Sequence, residues 1–344
     1  RAPAQKKTAG RSRAAKAAKS DKSASKVAES DADMFSSYAR LDIHKVMLED
    51  FPRTDAYRRA IVAGRAHFKG KAVLDVGCGL GILSMLAARD GGARMVYAVE
   101  ACRETAARAQ RIVEANGLSG RVQVIHGVVE KVRLPEKVDV VISEWMGYFL
   151  VHESMLESVL VARDRWLRPG GLMYPSRAQL FLCPGNFQKQ LDESSGYWRS
   201  DVYGFDFASL CEEAEAKVRA QPLSTGTLTA DQLLAGVAPL KVADFDLSTC
   251  SKAMVRKIKV DFCFALPARA KAAQTFHGMA LWFDVLFPSR VKLQTGPEHP
   301  ETHWGQTLVF LDEPCELEPA EDLSGSMRLA ANAENHRFYD LSFR

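Results

Sequence analysis

Between Lys71 and Tyr174 the chain alternates two hydrophobic rhythms. Short, nearly unbroken apolar runs read as buried strands: 71–76, ending at Gly77; 95–99, ending at Glu100; 122–126; and 138–143, running into Glu144. Stretches with apolar residues three and four apart read as helices: 82–89, closed by Gly91-Gly92, and the Ala-rich 103–116, closed by Gly117. Residues 153–167 read as a long amphipathic helix that Pro169-Gly170-Gly171 stops, and 34–50 as a helical segment with Pro52 as its stop. Such alternation predicts an α/β fold with a parallel sheet and helices on both faces.

After Tyr174 the rhythm changes. Strand-like stretches at 179–182, 254–264, 279–286 and 307–311, joined by Pro/Gly-rich connections, predict a second, mostly antiparallel β domain of barrel type over 175–344. Residues 187–222 interrupt it. They are polar and largely helical, with apolar anchors at Tyr197, Trp198, Val202, Tyr203, Phe205, Phe207 and Leu210. An arm carrying that many aromatics reads as a partner surface.

Charge changes the picture only at the start. Residues 1–33 hold nine Lys/Arg and four Asp/Glu, a balance of +5 in a chain of +4, so the remainder is near neutral. This tail is rich in Ala, Lys and Ser and reads as disordered. A localisation signal or a nucleic-acid contact fits it; a plain solvated tail is the preferred reading. The seven cysteines are scattered with no Cys-x-x-Cys pair, which argues against a disulfide framework or a zinc site and for a reducing compartment. No run has the apolar length of a membrane span and no signal-peptide pattern opens the chain, so no membrane role is expected.

The chemistry gathers at strand ends. Gly77-Cys78-Gly79-Leu80-Gly81 follows the first strand and opens a helix, a turn that lets backbone approach a ligand at a positive helix end. The G-x-G-x-G spacing lowers the expectation of a dinucleotide, while Glu100 at the end of the next strand suits ribose hydroxyls. At the same sheet edge, Glu144 and Glu153 bracket an otherwise apolar and aromatic stretch. Two carboxylates at one site repel unless a cation lies between them. A planar guanidinium, with its fork of donors, is the natural one.

These residues resemble the protein arginine methyltransferases, particularly the type I members, over roughly 34–344. The segment 73–83 is similar to the family's S-adenosylmethionine loop, 143–156 to its double-glutamate loop, Thr302-His303-Trp304 to its Thr-His-Trp loop, and 34–38 to its Tyr-Phe-x-x-Tyr motif. The resemblance implies a Rossmann-like S-adenosylmethionine-dependent methyltransferase domain over 34–174, then a β-barrel substrate domain bearing a dimerisation arm at 187–222. It implies an enzyme that gives monomethyl and asymmetric dimethylarginine. His44, Arg53, Asp75, Gly77, Gly79, Glu100 and Glu130 would hold the cofactor, with Arg53 on its carboxylate and Glu100 on its ribose. Glu144 and Glu153 would clamp the substrate guanidinium, and His303, paired with Asp50, would help carry away the proton. Phe35, Tyr38, Met47, Tyr148, Met155 and Trp304 would shape the substrate pocket. No metal is implied.

The implied partners are Gly/Arg-rich protein substrates, RNA-binding proteins or histones among them, and a homo- or hetero-oligomer formed through the arm. The implied compartment is the cytoplasm, with the nucleus also open. Two positions depart from the family pattern: Met34 stands where the first Tyr of the motif is usual, and Leu80 where Thr is common in the glycine loop. Met34 supports a rival reading, a catalytically silent regulatory subunit that activates a partner methyltransferase through the arm.

Overall fold

The computed structural model describes residues 38–220, 224–268 and 272–344. The basic tail, Met34 and Phe35 lie outside the described residues. Helices α1 (Leu41–Glu49), α2 (Phe51–Ala63) and α3 (Arg65–Phe68) lead into β1 (Ala72–Val76), α4 (Ile82–Arg89), β2 (Met95–Glu100), α5 (Arg103–Ala115), β3 (Val122–His126) and β4 (Val138–Ile142). Helix α6 (Met155–Trp166) and strand β5 (Leu167–Tyr174) complete this half. The sheet runs β3-β2-β1-β4-β5 with every pairing parallel. All five residues of β1 are buried, as a central strand covered on both faces requires.

Three local expectations are completed or corrected. Helix α1 ends at Glu49, before Pro52, but the proline also sits in the first turn of α2, where a missing N–H costs no hydrogen bond. Pro169-Gly170-Gly171 does not merely end α6; these residues lie within β5, at the edge of the sheet, where a proline is tolerated and the β4–β5 register shifts. The stretch 254–264 does not begin as a strand, because Met254 lies in a short helix, α9 (Lys252–Arg256), capped by the Ser251 hydroxyl.

The second half opens with β6 (Arg177–Gly185), then an excursion of two helices, α7 (Gln188–Arg199) and α8 (Cys211–Arg219). After it come β7 (Ser224–Gly226), β8 (Leu240–Asp246), α9, β9 (Lys257–Ala265), β10 (Gln274–Leu286), β11 (Lys292–Gln294), β12 (Gln306–Leu317), β13 (Asp322–Ala331) and β14 (Tyr339–Phe343). One antiparallel sheet runs β7-β12-β10-β6-β8, with β11 on β10, and a second runs β14-β13-β9. The excursion is anchored by buried Phe187 and Leu191, while Tyr197, Tyr203 and Phe205 are exposed. A continuous apolar core joins the two halves. At their contact Tyr57 meets Phe287 edge-on, and the Trp304 indole N–H donates to the Met146 carbonyl at 3.0 Å. Among the described residues no helix is long and apolar enough to cross a membrane.

Candidate active site

The carboxyl ends of β1, β2 and β4 open into a cavity of about 760 Å³, closed on its far side by α1 and by loops of the second half. Gly77, Gly79 and Gly81 all have positive φ, and Gly81 leads into α4. At Gly77 an added Cβ would stand 2.3 Å from Met155 Cε, so bare backbone is what keeps this wall of the cavity open. Glu100 ends β2 and lines the cavity. Its two oxygens accept from the Gly79 N–H at 2.9 Å and the Cys102 N–H at 2.8 Å, which fixes the carboxylate beside the glycine loop. The cavity wall thus pairs a backbone cradle with a fixed carboxylate that can accept from hydroxyls, a set that suits a nucleoside with ribose hydroxyls and an amino-acid end. His44 lines the same space, its Nε2 held by the Tyr38 carbonyl at 2.9 Å, and Glu130 lies at the exposed rim.

Asp75 is corrected. Its side chain is fully buried below the loop, accepts from Ser84 Oγ at 2.6 Å, and does not line the cavity. Burial pushes its carboxyl up to about 7, with the charge of Glu100 adding to the rise against the Ser84 hydrogen bond.

The opposite side of the cavity is built by the loop between β4 and α6. Phe149, Leu150, Glu153 and Ser154 all have positive φ, an unusual density for residues with side chains. The loop closes on itself through hydrogen bonds between Gly147 and Leu150 in both directions, and its reversal brings Glu144 and Glu153 to one cavity. The two carboxylates have different partners. Glu144 Oε2 accepts from Arg53 Nε at 2.9 Å and Nη2 at 2.7 Å, and Oε1 accepts from the Met146 N–H at 3.2 Å. Arg53 Nη1 donates to the Met47 carbonyl at 2.9 Å and to Thr54 at 3.2 Å. The guanidinium that faces Glu144 here is therefore the chain's own Arg53, which lies in the cavity wall. Burial of Arg53 opposes its charge, but Glu144 outweighs it and the cation is held more firmly than usual.

Glu153 Oε2 accepts from the Tyr38 hydroxyl at 2.8 Å. Burial pushes the Glu153 carboxyl above the usual range, and the charge of Glu144 adds to this, while Tyr38, Arg337 and His303 hold it back. Opposite, His303 Nδ1 lies 2.6 Å from Asp50 Oδ2, which also accepts the His303 backbone N–H at 2.9 Å. Asp50 Oδ1 caps α2 by accepting from the Arg53 N–H at 2.9 Å. Burial disfavours the Asp50 charge, but these three hydrogen bonds outweigh it and hold the carboxyl below its ordinary value. An ionised carboxylate only accepts, so Nδ1 carries the hydrogen and Nε2 is the imidazole's accepting atom.

Met47, Tyr148, Met155 and Trp304 line the cavity with Tyr38, so every described pocket residue of the sequence reading is assembled at one place. Lys252, His336 and Arg337 also line it, three residues outside every sequence motif noted above. They come from α9 and the β13–β14 turn, far along the chain, and no local motif marks them.

Residues 73–171 match the methyltransferase domain family, and residues 176–344 match the arginine methyltransferase oligomerization subdomain. A probable protein arginine N-methyltransferase 6.1 of Oryza sativa subsp. indica is 40% identical over 92% of this chain and 88% of its own length. The chain belongs to the protein arginine methyltransferases. Among solved structures of this family, the Trypanosoma brucei PRMT1 enzyme–prozyme heterotetrameric complex with AdoHcy is 36% identical, with a TM-score of 0.76 over 89% of this chain and 93% of that one. The Arabidopsis thaliana protein arginine methyltransferase 10, described in a uniquely open conformation, is 36% identical with a TM-score of 0.77 over 90% and 93%. Like them, this arginine methyltransferase carries a parallel cofactor-type sheet followed by antiparallel sheets.

Proposed function

We propose that this cleft methylates arginine side chains of proteins with S-adenosylmethionine as donor, and that the product series runs through monomethyl to asymmetric dimethylarginine. The observation that carries the reading is the convergence of Glu144, Glu153 and the Asp50–His303 pair on one cavity with the glycine loop and Glu100. When bound, the donor supplies an electrophilic methyl on a sulfonium. Gly77, Gly79, Glu100, His44 and Glu130 would hold it, with Arg53 poised at its carboxylate end.

The remaining chemistry belongs to the chain. A free guanidinium is a poor nucleophile because its charge is delocalised over all three nitrogens. Two carboxylates draw that charge toward the nitrogens they contact and leave lone-pair character on the third. Arg53 holds Glu144 in place for this, and Tyr38 holds Glu153. His303 Nε2 accepts the released proton, and buried Asp50 stabilises the imidazolium that forms. Met155 and Met47 crowd the pocket and set how many methyls fit. The cavity walls orient the two substrates and exclude water, which accounts for a large share of the rate in a displacement of this kind.

The oligomer reading rests on surface chemistry. Tyr203 is 96% exposed and Phe205 69% exposed at the end of the arm, and Leu41, Val46 and Phe51 are exposed on α1 and at the start of α2. Two such apolar patches on one chain fit head-to-tail closure of a dimer, arm onto helices. Gly/Arg-rich proteins are the proposed substrates, and the cytoplasm and nucleus the proposed compartments. The regulatory-subunit reading is not favoured, since the named relatives are arginine methyltransferases and Glu144 and Glu153 keep Arg53 and Tyr38 as partners.

The test is Glu153→Gln in the purified full chain. Turnover on an arginine peptide should disappear while S-adenosylhomocysteine binding by calorimetry stays within about threefold, because Glu153 would meet the acceptor guanidinium rather than the donor. A variant with near-normal turnover overturns the assignment.

A further inference from the structure

The double-glutamate loop holds two left-handed residues side by side at its exit, Glu153 at φ 69° and Ser154 at φ 54°. Left-handed backbone at two consecutive residues with side chains persists only where the surroundings impose it. Neither a glycine nor a side-chain cap supplies that here; Ser154 makes no capping hydrogen bond to α6. The imposed contacts come instead from the turn between β13 and β14, about 180 residues further along. Ser154 Oγ donates to the His336 carbonyl at 2.6 Å. Arg337 Nη1 donates to the Glu153 carbonyl at 3.0 Å. The Phe338 ring stacks on His152 with centroids 5.1 Å apart and planes at 22°. Three successive residues of the turn thus meet three successive residues of the loop.

The turn is braced by hydrogen bonds of its own. Asn332 Oδ1 accepts from the Glu334 N–H at 2.8 Å and the Asn335 N–H at 2.9 Å, and Asn335 Oδ1 accepts from the Arg337 N–H at 3.0 Å. The Phe338 N–H donates to the Asn335 carbonyl at 3.0 Å and the Asn332 N–H to the Phe338 carbonyl at 2.9 Å. The turn thus carries hydrogen bonds of its own besides those that it makes to the loop.

We propose that Arg337 is a positioning residue of the methyl transfer: it fixes the Glu153 backbone in the left-handed conformation and thereby aims the Glu153 carboxylate at the acceptor nitrogen. Its guanidinium ties the last turn of the second half to the loop of the first, so the acceptor pocket is complete only when the C-terminal hairpin is seated. This rests on the reading of Glu153 as an acceptor carboxylate.

The test compares Arg337→Ala, Arg337→Lys and Glu153→Gln in the full chain. Three readouts are taken: kcat and KM on an arginine peptide, S-adenosylhomocysteine affinity, and hydrogen exchange of the loop amides. Arg337→Ala should lower kcat by about tenfold to a hundredfold, the scale of a side chain displaced by about an ångström. Cofactor affinity should stay within about twofold, because Arg337 does not touch the glycine loop. The amides of 149–154 should exchange faster than in the wild type, and the rest of the chain should not. Lysine, which can still donate to the Glu153 carbonyl, should recover part of kcat. Full kcat in Arg337→Ala alongside an inactive Glu153→Gln overturns the positioning role and leaves the acceptor reading standing. An active Glu153→Gln overturns the acceptor reading itself. Parallel loss of cofactor binding and of protection throughout the chain, without recovery by lysine, makes Arg337 a general structural residue and overturns the proposal.

Discussion

The buried pair of Arg53 and Glu144 gives the sharpest energetic prediction. Both side chains are about nine-tenths covered, at 8% and 10% exposure, with the closest atoms 2.7 Å apart. At that distance, with an effective dielectric near 20, the Coulomb attraction is about 6 kcal/mol before the desolvation of both groups is subtracted. The net value of the pair is therefore small, but removing one member strands a buried charge at roughly 3–5 kcal/mol. Glu144→Leu should destabilise by about that amount, since a guanidinium does not shed its proton. Arg53→Met should cost less, about 2–3 kcal/mol, because an orphaned glutamate can protonate. The double variant should lose far less than their sum, giving a coupling of at least about 2 kcal/mol. Urea unfolding of the four proteins, followed by circular dichroism, reads this directly. Losses that add to within about 0.5 kcal/mol refute the pair as an interacting unit.

Other outcomes follow from the same geometry. Glu153 must be ionised to bind the acceptor cation, and in the free enzyme its carboxyl is raised by burial and by Glu144, so kcat/KM should fall on the acid side with an apparent pKa above the ordinary glutamate value of 4.5; an acid limb of kcat/KM at or below that value contradicts the placement of Glu153. Asp50→Asn should lower kcat about a hundredfold or more, the usual share of a proton-transfer group and its orienting partner, with peptide KM little changed. Asp50 is held below its ordinary value in the fold, so its contribution to stability is present above the unfolded carboxylate range and disappears as pH falls through the folded value; the Asn variant should lack that acid-side loss in thermal scans. Replacing Tyr203 and Phe205 together by serine should shift the chain to monomer by light scattering while the monomer's melting temperature stays within about 2 °C, because both rings are exposed.

Much of the fold is written in local pattern. The β1, β2 and β4 runs are largely apolar because these strands are buried in the sheet, and their ends fall where Gly77, Glu100 and Glu144 interrupt the pattern. The helices do end before Pro52 and Pro169, at Glu49 and Trp166, but reading these prolines only as stops misses the elements that they open or join, for a common reason. Proline forbids a donor, not an element, and both prolines sit where no donor is needed: one in a first helical turn, one in an edge strand. The site is legible where its residues cluster in sequence, as with Glu144 and Glu153. Asp75 misleads because its place beside the glycine loop suggests a ligand, while strand alternation turns its side chain into the core toward Ser84. Arg337 is invisible for the opposite reason: its meaning comes from a contact 184 residues away, and a lone arginine in a polar turn has no local signature.

The central claim is that the two glutamates present an arginine to a methyl donor. The most direct measurement is mass spectrometry of a Gly/Arg-rich peptide incubated with the purified chain and methyl-labelled S-adenosylmethionine, with Glu153→Gln in parallel. Labelled monomethyl and asymmetric dimethylarginine from the wild type alone is the predicted result. No labelled arginine from the wild type, or equal labelling by the variant, would contradict it.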